Sequence, residues 1–106
     1  MITRTLRFII TAQKIKKDPS CDFSGLVSGT QGYLEAEFDT STEWHDCHVA
    51  AVFVYLDKEY PVPVIRNKCL IPAEALLGSS FDVYLVGRKD NYLIRTDTTK
   101  VRQQRR

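Results

Sequence analysis

Residues 48–72, HVAAVFVYLDKEYPVPVIRNKCLIP, restrict the fold more than any other stretch. At their start, Val49, Ala51, Phe53 and Tyr55 fall on one side of an extended chain, and Ala50, Val52 and Val54 on the other. Alternate side chains of a strand point to opposite faces, so this strand is apolar on both. Such a strand is predicted to be central and covered on both sides. Leu56, Asp57 and Lys58 supply a hairpin turn, and 59–65 is the return strand. Pro61 and Pro63 lack an N–H to donate, which places this strand at a sheet edge with its prolines outward. Arg66, Asn67 and Lys68 turn the chain into Cys69, Leu70 and Ile71. A helical turn over 72–77 follows, with Pro72 at its first position and Gly78 just past its end.

The flanking segments carry the same period of two. In 5–11, Leu6, Phe8 and Ile10 share an apolar face. Residues 12–22 are polar and basic and read as a loop, with an edge segment around Ile15 and a turn at Asp18-Pro19. Residues 23–32 read as a long connection, with Leu26 and Val27 dipping back to the core. In 33–39, Leu34, Ala36 and Phe38 alternate with Tyr33, Glu35 and Glu37, so the second set faces water. Ser41 or Thr42 is placed to cap a short helical turn carrying Glu43 and Trp44. In 81–88, Phe81, Val83 and Leu85 oppose Tyr84 and Val86. Lys89, Asp90 and Asn91 turn the chain into a partner strand at 92–96, which 98–101 extends. Seven or eight short strands with one short helical turn predict an all-β fold. Its expected form is an antiparallel β-sandwich, jelly-roll or Ig-like, although the pattern does not separate a sandwich from a partly closed barrel.

A chain of 106 residues suggests one domain, 1–106. With 43% hydrophobic and 26% charged residues its composition is that of a globular protein, not a disordered one. A net charge of +2 gives no reason to expect a polyanionic partner. The end of the chain, 100–106, is locally basic and reads as a frayed tail. It has no interleaved aromatic residues of the kind that hold nucleic acid. Arg4 and Arg7 interrupt the start, so no secretory signal is expected, and no stretch reaches the length of a membrane span. Synthesis in the cytoplasm follows as the expectation. Three cysteines cannot all pair within one chain, and reduced, packed thiols are expected.

No catalytic or metal-binding pattern stands out. His45, Asp46, Cys47 and His48 hold the right residue types for zinc, with distant Cys21 or Cys69 as further ligands. Their spacing matches neither a finger nor a ribbon, and neighbouring strand positions point apart. The same cluster has a thiol, imidazoles and a carboxylate, but no Gly-rich oxyanion loop or helix start beside them. Glu35 and Glu37 lie on one solvent face rather than across a cleft. Gly25, Gly29 and Gly32 lack phosphate-loop spacing. Two aromatic residues are candidate ligand or interface contacts. Tyr33 lies on the polar side of its strand. Trp44, the one tryptophan, is either a core plug or an exposed anchor.

Several segments in order carry a resemblance. They are Phe38-Asp39-Thr40-Ser41-Thr42-Glu43-Trp44, Val49-Ala50-Ala51-Val52-Phe53 and Glu59-Tyr60-Pro61-Val62-Pro63. Then come Cys69-Leu70-Ile71-Pro72-Ala73-Glu74-Ala75-Leu76, Phe81-Asp82-Val83-Tyr84-Leu85-Val86-Gly87 and Ile94-Arg95-Thr96-Asp97. Together, 38–101 resemble small β-sandwich modules in tail and baseplate proteins of phages and prophages of Gram-positive bacteria. The resemblance implies a non-enzymatic virion protein without cofactor, used in assembly or in presenting a receptor-binding part. Its implied partners are other tail or baseplate proteins and further copies of itself, with neither nucleic acid nor membrane insertion. As a lone domain, the chain fits an accessory component of the host-adsorption apparatus. The competing expectation is a carbohydrate- or cell-surface-binding β-sandwich whose concave face displays Tyr33 or Trp44. For pairing between copies, the prolines blunt the edge at 59–65, so the first strand is the expected site.

Overall fold

Backbone pairing arranges the described residues, 2–105, into nine strands in the computed structural model. In chain order these are β1 (Arg4–Thr11), β2 (Lys14–Lys17), β3 (Leu34–Thr40), β4 (His48–Tyr55), β5 (Lys58–Pro63), β6 (Lys68–Leu70), β7 (Ser80–Lys89), β8 (Tyr92–Arg95) and β9 (Thr99–Arg102). Two 3-10 turns, Thr42–Trp44 and Ala73–Leu76, are the helical content. Among the described residues no helix is long and apolar enough to cross a membrane. The fold is therefore all-β, with nine strands where seven or eight were expected. The helical turn expected over 72–77 is present, with Pro72 at the cap position rather than inside it.

The strands form two sheets. The first has the order β2-β1-β3-β6; the second has the order β5-β4-β7-β8, with β9 also on β7. β7 is long enough to hold two partners on one edge: Val86–Lys89 pairs with β8 and Ser80–Val83 with β9. Pro61 and Pro63 lie on an edge strand, β5, as their missing donors require.

Four features bear on the sequence reading, three of them as differences and one, the edge segment around Ile15, in agreement. The expected antiparallel arrangement fails at β1 and β3, which pair in parallel over seven residues from Arg4–Leu34 to Ile10–Thr40. A parallel partner needs a crossover connection, and the stretch through residues 18–33 supplies it. The Arg4 guanidinium holds that stretch, donating to the carbonyls of Asp22 (2.8 Å) and Ser24 (2.7 Å). The chain is thereby carried back to the starting end of β1. Second, the edge segment expected around Ile15 is the edge strand β2, with Ile15 buried while its lysine neighbours reach water. Third, the segment expected as a frayed tail from residue 100 is held in the fold through Gln104. Val101 is fully buried on β7, and the Gln104 N–H donates to the Leu26 carbonyl. Fourth, β1 lies between β2 and β3, so both of its edges are occupied and it is no site for strand addition. In the long connection Leu26 reaches the core, whereas Val27 stays exposed.

One core draws on both sheets. The first contributes Leu6, Phe8, Ile10, Ala36 and Phe38; the second contributes Ala51, Phe53, Phe81, Val83, Leu85 and Val101. Phe8 and Phe38 stack across the parallel pair with ring centroids 5.4 Å apart. Each fully buried side chain of this size contributes about 1.5–3 kcal/mol relative to exposure. The inward set of every strand is the alternate set that its sequence marks as apolar. One buried hydroxyl is tied in from both sides: Thr96 Oγ1 accepts from the Leu85 N–H (3.0 Å) and donates to the Asp97 carbonyl (2.7 Å).

Candidate interaction face

Register decides which side chains share the outer face of the second sheet. Val52 lies between Pro61 on β5 and Tyr84 on β7, and Ala50 between Pro63 and Val86. One step along, Val54 lies between Glu59 and Asp82. In the other direction His48 stands beside Arg88, and Arg95 of β8 stands beside Val86. The middle of the face is thus Pro61, Val52, Tyr84, Pro63, Ala50 and Val86. Acidic groups, Glu59 and Asp82, mark one end; Arg88 and His48 mark the other. Val52 keeps only 7% of its surface exposed and Tyr84 only 8%, although neither belongs to the core cluster between the inward sets. Neighbouring side chains on the same sheet do the covering.

Tyr84 is the polar knot of this face. Its hydroxyl donates to Glu59 Oε2 at 2.8 Å, and the Arg95 guanidinium lies over its ring at 4.6 Å. Burial pushes the Tyr84 hydroxyl above its ordinary range, and the bond to Glu59 with that carboxylate's charge adds to the effect. At the edge, Asp82 pairs with Lys100 at 3.2 Å. A shallow apolar groove opens beside this knot, walled by Ala50, Pro61, Pro63 and Val86 with His48 and Arg88 at its mouth. It fits burial against another apolar surface.

The sequence reading expected β4 to be covered on both sides. The chain covers one side only, because its remaining strands are spent on the first sheet. That is the signal the sequence offered for this face. Apolar residues on the second side of β4, matched by Pro61 and Pro63 and by Tyr84 and Val86, had no partner strand left to cover them.

The two aromatic candidates are not brought together. Tyr33 precedes β3 and Trp44 follows it, so the length of a seven-residue strand separates them. Tyr33 is 44% exposed and stands alone, its carbonyl accepting from the Arg4 N–H. Trp44 is 3% exposed and takes the core-plug role. Its Nε1–H donates to the Ala12 carbonyl at 2.9 Å. Its ring lies against Gly87, where an added Cβ would come within 2.8 Å of it. An indole used this way presents no open face to a ligand. Ser41 takes the cap position of the Trp44 turn without capping it. Its Oγ accepts from the Ala12 N–H (2.9 Å) and donates to Glu43 Oε1 (2.7 Å), so it ties the turn to the end of β1.

The polar cluster divides. His45, Asp46 and Cys47 border a cleft of about 320 Å³ at one end of the two sheets, with Asp39, Arg66 and Asn67 opposite. His48 belongs to the groove on the outer face instead. Among the described residues no three His, Cys, Asp or Glu side chains gather as a metal site. Cys69 is buried in the first sheet, and burial, with the nearby Glu35 charge, pushes its thiol up to about 12. Cys21 and Cys47 are half-buried and, like Cys69, unpaired.

No protein-family model matches the chain, and no curated protein matches it.

Proposed function

We propose that the chain is a non-enzymatic structural module of a phage virion. In this reading it is an accessory tail or baseplate component, built as a two-layer β-sandwich, that docks to neighbouring proteins through the outer face of its second sheet. The observation that carries the docking part is the open apolar groove on that face, walled by Ala50, Pro61, Pro63 and Val86. Burial of such a surface is worth about 25 cal/mol per Å², and building blocks are joined by surfaces of this kind. The virion part rests on the resemblance of residues 38–101. The two-layer form is supported by two sheets contributing to one core. The glycan-binding alternative has less behind it, since Trp44 is buried and Tyr33 stands alone.

The test is the composition of purified particles. Phage particles induced from the strain that encodes the chain are banded on a density gradient and quantified by mass spectrometry. The chain is expected in the band at a fixed small-integer ratio to other tail proteins. Recovery only from the unbanded lysate overturns the reading.

A further inference from the structure

We propose, building on the docking reading above, that the occupant of this face is a second copy of the chain. The two copies meet face to face about a two-fold axis that crosses the strands between the levels of Tyr84 and Val86. Association edge to edge is blocked nearly everywhere. β2 carries Lys14, Lys16 and Lys17; β5 carries Pro61 and Pro63; β6 has three residues, and β8 and β9 have four each. Charged, proline-bearing or very short edges do not template a further strand. The outer face of the first sheet carries its own ion pairs, Arg7 with Glu37 and Lys68 with Glu35. That leaves the outer face of the second sheet.

The order of side chains on this face complements itself. Along β7 the outward residues run Asp82, Tyr84, Val86, Arg88. The proposed axis sets Arg88 over the second copy's Asp82, beside the Lys100 that Asp82 already holds, and Val86 over its Tyr84 and the Arg95 guanidinium on that ring. On β4 it sets Ala50 over Val52, and on β5 Pro63 over Pro61. On β4 and β5 apolar meets apolar in the middle, and on β7 opposite charges meet at both ends, while His48 lies over Val54. A two-fold along the strands would instead lay Pro63 on Arg95 and Val54 on Asp82, burying charge against hydrocarbon at a cost. The patch is four strands wide and four alternate residues long, about 19 by 27 Å from strand spacing and rise. That footprint, on the order of 500 Å² per copy, is an upper bound because Val52 and Tyr84 are already nearly buried, and two copies together lie at the roughly 1,000 Å² lower limit of a specific interface. An interface at that lower limit gives a reversible dimer.

Sedimentation velocity with light scattering on the full chain, from about 1 to 300 µM, tests this in the range where such interfaces associate. The wild type is expected to shift from monomer to dimer. Val86→Glu should weaken dimerisation at least roughly 30-fold, as loss of a central anchor does. Ile9→Glu, on the outer face of the first sheet, should leave dimerisation unchanged. The charge pairs give the more specific readout. Arg88→Glu alone and Asp82→Arg alone should each weaken self-association, whereas an equimolar mixture of the two should associate again. Only a two-fold contact between these positions restores both pairs in the mixture. If Val86→Glu fails to melt cooperatively, the mixture decides. A monomer at every concentration overturns the proposal, as does a dimer that Val86→Glu leaves intact or a mixture that stays monomeric. A monomeric chain still found in banded particles removes this proposal and leaves the virion reading standing. A dimer absent from particles does the reverse.

Discussion

The outward faces of the two sheets are finished by different chemistry. On the first sheet, Arg7 pairs with Glu37 at 3.2 Å and Lys68 with Glu35 at 3.9 Å, while the Thr5 hydroxyl donates to Glu35. Neighbouring strands satisfy each other's charges, and water covers the rest. On the second sheet, prolines, valines and an almost buried tyrosine occupy the middle, with the Arg95 guanidinium lying over the tyrosine ring. Both sheets bury their other face in one core, so the difference is not one of stability need. A face closed by its own ion pairs is complete in a single chain. A face whose middle is hydrocarbon gains by being covered.

The largest expected effect lies between the faces and should strike both sheets alike. Phe38→Ala removes a ring stacked on Phe8 in the shared core and should cost about 3–5 kcal/mol in denaturant unfolding. If the two sheets form one cooperative unit, probes in each should lose the same stability. Gly87→Ala comes next. Its new Cβ would press on the Trp44 ring, with Ile94 at 3.2 Å on the other side, and the expected cost is about 1–3 kcal/mol. A neutral result would mean that Trp44 has slack and is not the plug that positions β7.

Tyr84→Phe tests the knot on the outer face of the second sheet. Loss of the bond to Glu59 should cost about 1 kcal/mol at neutral pH. The fold raises the Tyr84 hydroxyl above the ordinary 10.0, so the folded chain binds that proton more tightly than the unfolded one. The resulting stability is complete below pH 10 and is lost as pH rises through the raised value. Urea melts on either side of pH 10 should therefore show a steeper alkaline loss for the wild type than for Tyr84→Phe. Equal slopes would show that the hydroxyl titrates as in water. The smallest effect belongs to the first sheet. Glu37→Gln should cost only a few tenths of a kcal/mol, because its ion pair with Arg7 is exposed and screened. The difference should vanish in 1 M salt, where the screening length is about 3 Å. A larger and salt-insensitive cost for Glu37→Gln than for Tyr84→Phe would break the comparison.

Much of the fold was legible in the residues. The bounds of β4 and its inward set, Ala51 and Phe53, follow from a period of two and a full apolar run. The edge position of β5 follows from two missing donors. Parallel pairing of β1 with β3 was not legible, because it depends on where a long irregular connection delivers the chain. Residues 98–101 were legible as extended chain, but not that they pair with β7 and bury Val101, because that depends on contacts with residues distant in the chain. Trp44 was legible as one of two alternatives. Only its contact with Gly87, distant in sequence, separates plug from platform.

The outer face of the second sheet divides in the same way. By itself, the sequence determined that β4 is apolar on both sides and that Pro61 and Pro63 face away from a ladder. Those are properties of single strands, written by local alternation and by the chemistry of proline. Which of the two apolar sides is left uncovered was decided by the tertiary structure alone. It depends on register across β5, β4 and β7, and on the other strands being spent elsewhere, and both are set by packing between residues far apart in the chain.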